Sequence, residues 1–235
     1  MGRRKRAMSE AVVNKAQMSS ANCAHCGAVL SSGHFCGTCD RIQRVTPQTD
    51  FFSFIGLPRK LVLDEAELEK TFYALSRRFH PDYFMSASEA ERQASMERSS
   101  MLNDAYRTLR DRVARAEYLL SLEGYKEAEK KAPPDLLEEV FELNMQIEEL
   151  KAAKKMADED EIAEAVAALE DALTGLRAKL AEIDERLFGQ FEQWDLVFES
   201  NSASGEKKIV LDRMSELLSH RSYIRNLVRD ITEVL

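Results

Sequence analysis

Pro81 interrupts two helical patterns, and the short segment around it is the feature that most constrains the fold. Upstream, apolar residues recur every three or four positions as far as Phe79, and a second pattern of the same period includes Leu102. Proline cannot continue a helix, and it disfavours the helical region for the residue before it. His80 and Asp82 are therefore predicted to lie in the connection of a helical hairpin, where functional side chains are common.

The starts of the two hairpin helices are marked by capping residues. Asp64 and Ser88 are each followed three residues later by a glutamate, Glu67 and Glu91. This spacing satisfies free backbone amides at the beginning of a helix. The first helix is predicted to run to Phe79 and the second to carry the pattern that includes Leu102, after which residues 112–122 continue helically.

The chain contains two C-x-x-C pairs, which include all of its cysteines: Cys23, Cys26, Cys36 and Cys39. Each pair lets two sulfurs converge on one metal ion, and two pairs complete a tetrahedron. Gly27 and Gly37 are expected to permit the tight turns. A structural zinc site is favoured over two disulfides, which an intracellular setting disfavours, and over a redox dithiol, which needs one pair. His25 and His34 could substitute as ligands, although four thiols suffice.

The composition favours long helices and argues against two classes of protein. The sequence is 44% hydrophobic and 31% charged, with only 9 Gly and 5 Pro in 235 residues. Its net charge of −8 disfavours a general nucleic-acid binder. Only Arg41 and Arg44 are basic near the cysteine pairs, so a nucleic-acid-binding zinc ribbon is also disfavoured. No apolar run is long enough to span a bilayer, so no membrane association is expected.

The amino terminus is basic and has two interpretations. Residues 1–22 are small and polar, which predicts a disordered segment. Alternatively, the arginines near Met1 belong to a mitochondrial targeting segment, although Glu10 and the lack of a long amphipathic face count against it. The expected compartment is the cytoplasm, with the mitochondrial matrix as the alternative.

Pro133-Pro134 marks a domain boundary, and Asp135 is predicted to cap the next helix. One face of that helix suits an intramolecular seam: Leu136, Val140, Leu143, Ile147 and Leu150. A second face carries Leu137, Phe141 and Met145, spaced four residues apart. These residues either pack on the preceding domain or form an exposed docking patch.

The segment after this helix has the clearest periodicity in the chain. Its apolar residues alternate steps of four and three: Ile162, Val166, Leu169, Leu173, Leu176, Leu180, Ile183 and Leu187. A turn at 201–205 precedes a last helix with Val210, Met214, Leu217, Ile224, Val228 and Ile231 on one side. Such a seam fits a coiled-coil dimer, but the turn positions favour an antiparallel three-helix bundle within one chain.

Several segments resemble a known family. His80-Pro81-Asp82 between two helices resembles the signature loop of the J-domain co-chaperones. Three flanking segments are similar to the HscB subfamily of iron–sulfur cluster assembly: Asp50–Pro58, Asn103–Tyr106 and Arg115–Leu120. The resemblance covers about residues 23 to 235 and is strongest from 50 to 122. It implies an all-α protein with a tetracysteine zinc module (23–45), a J-domain (50–124) and a carboxy-terminal scaffold-binding bundle (134–235).

The resemblance also implies partners and a non-enzymatic function. The His-Pro-Asp loop would contact a DnaK/HscA-type chaperone and stimulate its ATPase, helped by positive charge on the preceding helix; the implied contact residues are His80, Pro81, Asp82, Arg77, Arg78 and Lys70. The bundle would bind an IscU-type scaffold and promote cluster transfer; the implied contact residues are Leu137, Phe141, Glu142, Met145 and Tyr223.

Two other functions remain open. One is a general J-protein that delivers unfolded clients, and the other is a zinc-ribbon nucleic-acid binder. Catalysis at His80 is disfavoured, because Asp82 is the only carboxylate nearby and no Ser or Cys nucleophile has a matching context.

Overall fold

The computed structural model describes residues 22–23, 25–30, 33–125, 136–200 and 204–235. These residues form two compact units. Of the described residues, those up to Pro47 and those in Phe79–Ser99 form the first unit, and those in Gln48–Arg78 and from Ser100 onward form the second. The predicted amino-terminal disorder, except at Asn22, lies outside the described residues. So do the Pro133-Pro134 boundary, the Asp135 cap and positions 201–203 of the predicted turn.

The described residues are helical apart from connecting segments and two isolated β-bridges, Asn22 with Val29 and Phe35 with Ile42. A 3-10 helix covers Pro81–Phe84. The α-helices are α1 (Phe51–Ile55), α2 (Glu65–Phe79), α3 (Glu89–Arg110), α4 (Arg112–Leu122), α5 (Leu137–Met156), α6 (Glu159–Glu199) and α7 (Ser204–Val234). The predicted all-α class is confirmed.

The predicted helix starts are present. The Asp64 carboxylate accepts hydrogen bonds from the backbone amides of Ala66 and Glu67, at 2.9 and 3.1 Å. Ser88 and Glu91 form the reciprocal pair: the Ser88 amide and hydroxyl both donate to Glu91 Oε2, at 3.2 and 2.7 Å. These contacts satisfy amides that the first turn leaves without helical partners.

Residues 112–122 form a separate helix and do not continue α3. Asp111 has an extended backbone, and its carboxylate accepts the amide of Ala114 at 2.8 Å, so it caps a new helix after Arg110. Gly124 follows α4 with a φ of 85°, the left-handed conformation in which many helices end.

In the second unit, the two hairpin helices lie side by side. The rings of Phe72 on α2 and Tyr106 on α3 stack with their centroids 4.2 Å apart. Leu102 and Leu109 of α3 are buried, as their spacing predicted. The stacked rings and the buried leucines establish the helical hairpin.

Helices α5, α6 and α7 form the predicted three-helix bundle. The seam of α6 is buried at Leu169, Leu173, Leu176, Ile183 and Leu187, and that of α7 at Val210, Met214, Leu217, Ile224 and Ile231. The apolar seams of α6 and α7 therefore pack within one chain, as predicted for a three-helix bundle. Ala157, with a φ of 57°, and Asp158, which caps α6, make the turn between α5 and α6.

The segment between α1 and α2 is held by the carboxy-terminal half of α6. Both carboxylate oxygens of Asp195 accept backbone amides, from Leu61 at 2.7 Å and from Val62 at 2.9 Å. The neighbouring Trp194 is buried and donates its indole N–H to the carbonyl of Arg59 at 2.8 Å. These hydrogen bonds fix the position of the segment between α1 and α2 against helix α6 of the bundle.

We expect Asp195→Ala to lower the free energy of unfolding by about 1–3 kcal/mol, because it leaves the amides of Leu61 and Val62 without acceptors. Urea denaturation followed by circular dichroism measures the change. The control is Glu192→Ala, an exposed position on the same helix, which should change stability by less than about 0.5 kcal/mol. Equal stability of the two variants would show that the Asp195 contacts contribute nothing.

Candidate functional site

The connector after α2 presents His80 and Asp82 on a defined backbone. His80 has φ −56° and ψ 125°, outside the helical region, as expected for a residue before proline. Pro81 then begins the 3-10 helix, a turn that the sequence did not predict. The side chains of His80 and Asp82 are 53% and 76% exposed. The structure therefore places both polar groups at the surface of the first unit.

Local hydrogen bonds orient the His80 ring. Its Nδ1 accepts the backbone amide of Asp82 at 3.3 Å and lies 3.5 Å from Asp82 Oδ2. The His80 carbonyl accepts the amide of Tyr83 at 3.1 Å. With Nδ1 accepting, the neutral imidazole carries its proton on Nε2. The connector thus offers one imidazole donor and one carboxylate acceptor, which suits recognition of another protein's polar groups.

Phe79, the residue before the connector, holds the end of α2 in place. The sequence did not predict this role. Phe79 is fully buried, and its carbonyl accepts the hydroxyls of Ser95 at 2.6 Å and Ser99 at 3.0 Å. These two serines lie four residues apart on one face of α3, which is the only sequence signal of the contact. Together they satisfy a carbonyl that the end of α2 leaves without a helical partner.

The predicted basic residues of α2 are exposed in the second unit. Arg77 and Arg78 lie in the last turn, where positive charge also favours the helix dipole. Lys70 lies two turns earlier and pairs with Glu67 at 3.0 Å. Glu67 thus neutralises part of the positive charge on the helix, and the two arginines lie in its last turn, just before Phe79.

The four cysteines converge. Their Sγ atoms all lie within 4.8 Å of one another, and the Cys23–Cys39 and Cys26–Cys36 pairs are each 3.7 Å apart. A tetrahedral zinc ion with Zn–S bonds of about 2.3 Å requires sulfurs about 3.8 Å apart. The donor set and its spacing therefore fit a structural four-thiolate site.

Two similar knuckles bring these thiols together. In the first knuckle, the amide of Cys23 donates to the carbonyl of Ala28, and the amide of Gly27 donates to the carbonyl of Cys23. In the second, the amide of Cys36 donates to the carbonyl of Arg41, and the amide of Asp40 donates to the carbonyl of Cys36. All four hydrogen bonds measure 2.8–2.9 Å. Gly27 has a φ of 72°, a left-handed conformation that suits the tight turn expected there. Asp40, with φ 51°, takes the equivalent position in the second knuckle, and Gly37, which was expected to permit the turn, does not have a positive φ. The turn needs its left-handed residue directly after the second cysteine.

Backbone amides prepare two of the thiols for ionisation. The amides of Cys26 and His25 lower the pKa of Cys23 to about 6, and those of Thr38 and Cys39 lower the pKa of Cys36. A thiolate is the form that binds metal, so these contacts favour binding.

The histidines are not part of the cluster. His34 Nδ1 lies 2.7 Å from a guanidinium nitrogen of Arg98, and His25 is exposed. In the part of the chain that the structure describes, the group able to hold a metal consists of cysteines alone.

The two faces predicted for α5 are distinct. Leu143 and Leu150 are buried in the bundle. Leu137, Phe141 and Met145 are 54%, 66% and 50% exposed. We call these three residues the α5 stripe. The neighbouring Glu142 is exposed, and Tyr223 of α7 is half-buried.

The described helices also bear on membrane insertion. None of the helices in these residues combines the length and apolarity needed to cross a membrane.

The hairpin, its His-Pro-Asp connector and α4 define the class of protein. Residues 50–118 match the family model described as DnaJ domain. The protein is therefore a J-domain co-chaperone with an additional helical bundle.

Similarity over most of the chain specifies the family. The chain is 30% identical to the iron-sulfur cluster co-chaperone protein HscB of Mus musculus over 216 residues, 89% of this chain and 80% of that protein. The crystal structure of human HscB matches with a TM-score of 0.66 at 26% identity, covering 91% of this chain and 98% of that one. Chaperone HscB from Vibrio cholerae matches with a TM-score of 0.55 at 30% identity, covering 79% and 97%. The chain belongs to the HscB family of iron–sulfur cluster co-chaperones, and it carries an amino-terminal tetracysteine module.

We expect Cys39→Ser to lower zinc affinity by at least about tenfold, because even changes to the outer partners of a metal site have effects of that size. Zinc per chain, measured by mass spectrometry after dialysis against a chelator, reports the change. Thr38→Ala is the control, because Thr38 donates to Cys36 through its backbone amide. Full zinc retention by Cys39→Ser would contradict a four-thiolate site.

Proposed function

We propose that this chain is a non-enzymatic co-chaperone with two binding surfaces. The bundle binds an IscU-type iron–sulfur scaffold, and the His80-Pro81-Asp82 loop engages a DnaK/HscA-type chaperone. Binding stimulates the ATPase of the chaperone and promotes cluster transfer. The observation that carries this proposal is the exposed, hydrogen-bonded connector in a chain that belongs to the HscB family.

The loop acts by recognition. Exposed donors and acceptors held in one geometry lose little conformational freedom on binding, so they bind with less entropic cost than mobile groups. Asp82 suits an arginine of the partner, and the Nε2–H of His80 suits an acceptor. Acceleration of the partner's reaction is then a coupling between the loop's contacts and a distant active site.

Positive charge on α2 provides a second element of recognition. Arg77 and Arg78, with Lys70 contributing less, fit an acidic surface on the chaperone. Exposed charges of this kind mainly raise the association rate and make it sensitive to salt.

The α5 stripe is the proposed centre of the scaffold-docking surface. Its side chains project from a helix whose other face is buried in the bundle, so the stripe is presented on a rigid element. Apolar side chains surrounded by polar ones are typical of interface centres. Glu142 and Tyr223 would add polar contacts at the rim.

The tetracysteine module would hold one zinc ion. All four sites of a tetrahedron are filled by thiolates, which leaves no open position for substrate, so the role of the ion is structural. The compartment, cytoplasm or mitochondrial matrix, stays a prediction.

We expect His80→Gln to abolish stimulation of the partner ATPase while binding of the scaffold is unchanged. Glutamine cannot reproduce the ring that places Nδ1 toward Asp82 and Nε2 outward. Steady-state ATP hydrolysis and calorimetric titration with the scaffold measure the two activities. The control is His25→Gln, at an exposed histidine of the module. Loss of scaffold binding with retained stimulation would refute the division between loop and bundle.

We expect the double substitution Leu137→Ala with Phe141→Ala to weaken scaffold binding by about 1–4 kcal/mol, as removal of interface hot spots does. Since both side chains are exposed, the fold should be kept. Calorimetry gives the affinity. The matched control is Ile209→Ala, 53% exposed on α7. An unchanged affinity would place the docking surface elsewhere.

A further inference from the structure

We propose that the tetracysteine module positions the His80-Pro81-Asp82 loop through Arg98, so that loss of the metal ion impairs contact between the loop and the partner ATPase. This inference rests on the function proposed for the loop, but the geometry of the loop is testable without any partner. Arg98 and Phe79 are then positioning residues, and they touch no reacting group.

Arg98 is a buried arginine that joins α3 to the module. It is 5% exposed. Its Nε donates to the carbonyl of Gln43 at 2.5 Å, one terminal nitrogen donates to the carbonyl of Arg44 at 3.1 Å, and the other lies 2.7 Å from His34 Nδ1. Burial lowers the pKa of Arg98 to about 10, so the guanidinium stays charged at neutral pH. A buried charge is tolerated only with such partners, so the module has to keep its position against α3.

Gln43 connects Arg98 to the metal site. Its side-chain amide lies 3.6 Å from Cys23 Sγ and donates to the carbonyl of Arg41 at 2.7 Å. Its backbone carbonyl accepts from Arg98. One residue therefore contacts both a thiol ligand and the buried guanidinium. Gln43 thus couples the geometry of the cysteine cluster to the position of Arg98 on α3.

Phe79 connects the same residues to the loop. Its ring lies 4.8 Å from the His34 ring, 6.0 Å from the Phe35 ring and 5.9 Å from the Arg98 guanidinium carbon. The module thus forms one wall of the site that buries Phe79. Because His80 is the next residue, the position of Phe79 determines the position of the His80 backbone, from which the imidazole projects.

A second contact holds the other end of the loop. Arg41, two residues after Cys39, donates to Glu91 at 2.8 Å. The same Glu91 oxygen accepts from Ser88 and caps α3. The module therefore contacts Phe79, which precedes the loop, and Glu91, which lies at the start of α3 after the loop. Small metal modules lose their fold without the ion, so metal loss would release both ends.

The central test is Arg98→Met, which keeps an unbranched side chain that fills part of the same space, removes the guanidinium and leaves all four thiols. We expect it to retain zinc and yet raise amide exchange at Asp82, Tyr83 and Phe84 by about tenfold, because the loop loses its support. Exchange in α6 and α7 should not change. The half-saturating concentration for ATPase stimulation should rise about tenfold, with scaffold affinity unchanged. Arg98→Lys, which keeps the charge, should recover part of each effect.

The matched control is Arg107→Met. Arg107 lies on the same helix, and its guanidinium pairs with Asp104 across an exposed turn. This substitution removes an arginine from α3 without touching the module, so loop exchange and ATPase stimulation should equal those of the unmodified chain.

A second arm needs no substitution and covers the case in which Arg98→Met fails to fold. Zinc is removed from the full-length chain with a chelator, and exchange at Asp82, Tyr83 and Phe84 is measured again. We expect the same increase, reversed when zinc is restored.

Unchanged loop exchange in zinc-loaded Arg98→Met, or after removal of zinc from the full-length chain, would overturn the proposal. If loop exchange rises but the unmodified chain never stimulates the ATPase, the positioning stands and the proposed function of the loop fails. The two failures are therefore distinguishable.

Discussion

The geometry of the His80-Pro81-Asp82 loop depends on the burial of Phe79. This residue ends α2, and its ring and its carbonyl are both held, the carbonyl by Ser95 and Ser99. Helix ends fray when their carbonyls lack partners. Because the end of α2 is fixed in this way, the backbone of the exposed His80 has a defined position.

The tetracysteine module depends on its ligands more than on a core. In the described part of residues 22–47, the buried hydrophobic side chains are Cys23, Cys36 and Ile42. So small a core cannot offset the conformational entropy lost on folding. A metal ion held by the four thiolates would supply the missing free energy. On the proposal made above, the module would then support the neighbouring segment only in its metal-bound form.

Local patterns predicted most of the helices, the convergence of the four cysteines and the connector between α2 and α3. Asp64 and Ser88 cap helices through residues within three positions, and the seam of α6 follows from its spacing. The two C-x-x-C pairs and the His-Pro-Asp connector are likewise short-range patterns. Sequence reasoning treated residues 112–122 as a continuation of the preceding helix, because it did not recognise Asp111 as a cap. It expected Gly37 to permit the tight turn of the second knuckle, in which Asp40 has the positive φ.

By itself, then, the sequence determined the helical class, the cysteine cluster and the connector, because caps, spacing and proline act over a few residues. Only the tertiary structure decided that Arg98 is buried against the carbonyl of Gln43, 55 residues away. It also decided that Asp195 accepts the amide of Leu61 across 134 positions. An arginine or aspartate on a helix is ordinarily exposed, and no local pattern shows which backbone groups will reach it. Those contacts arise only when distant segments pack.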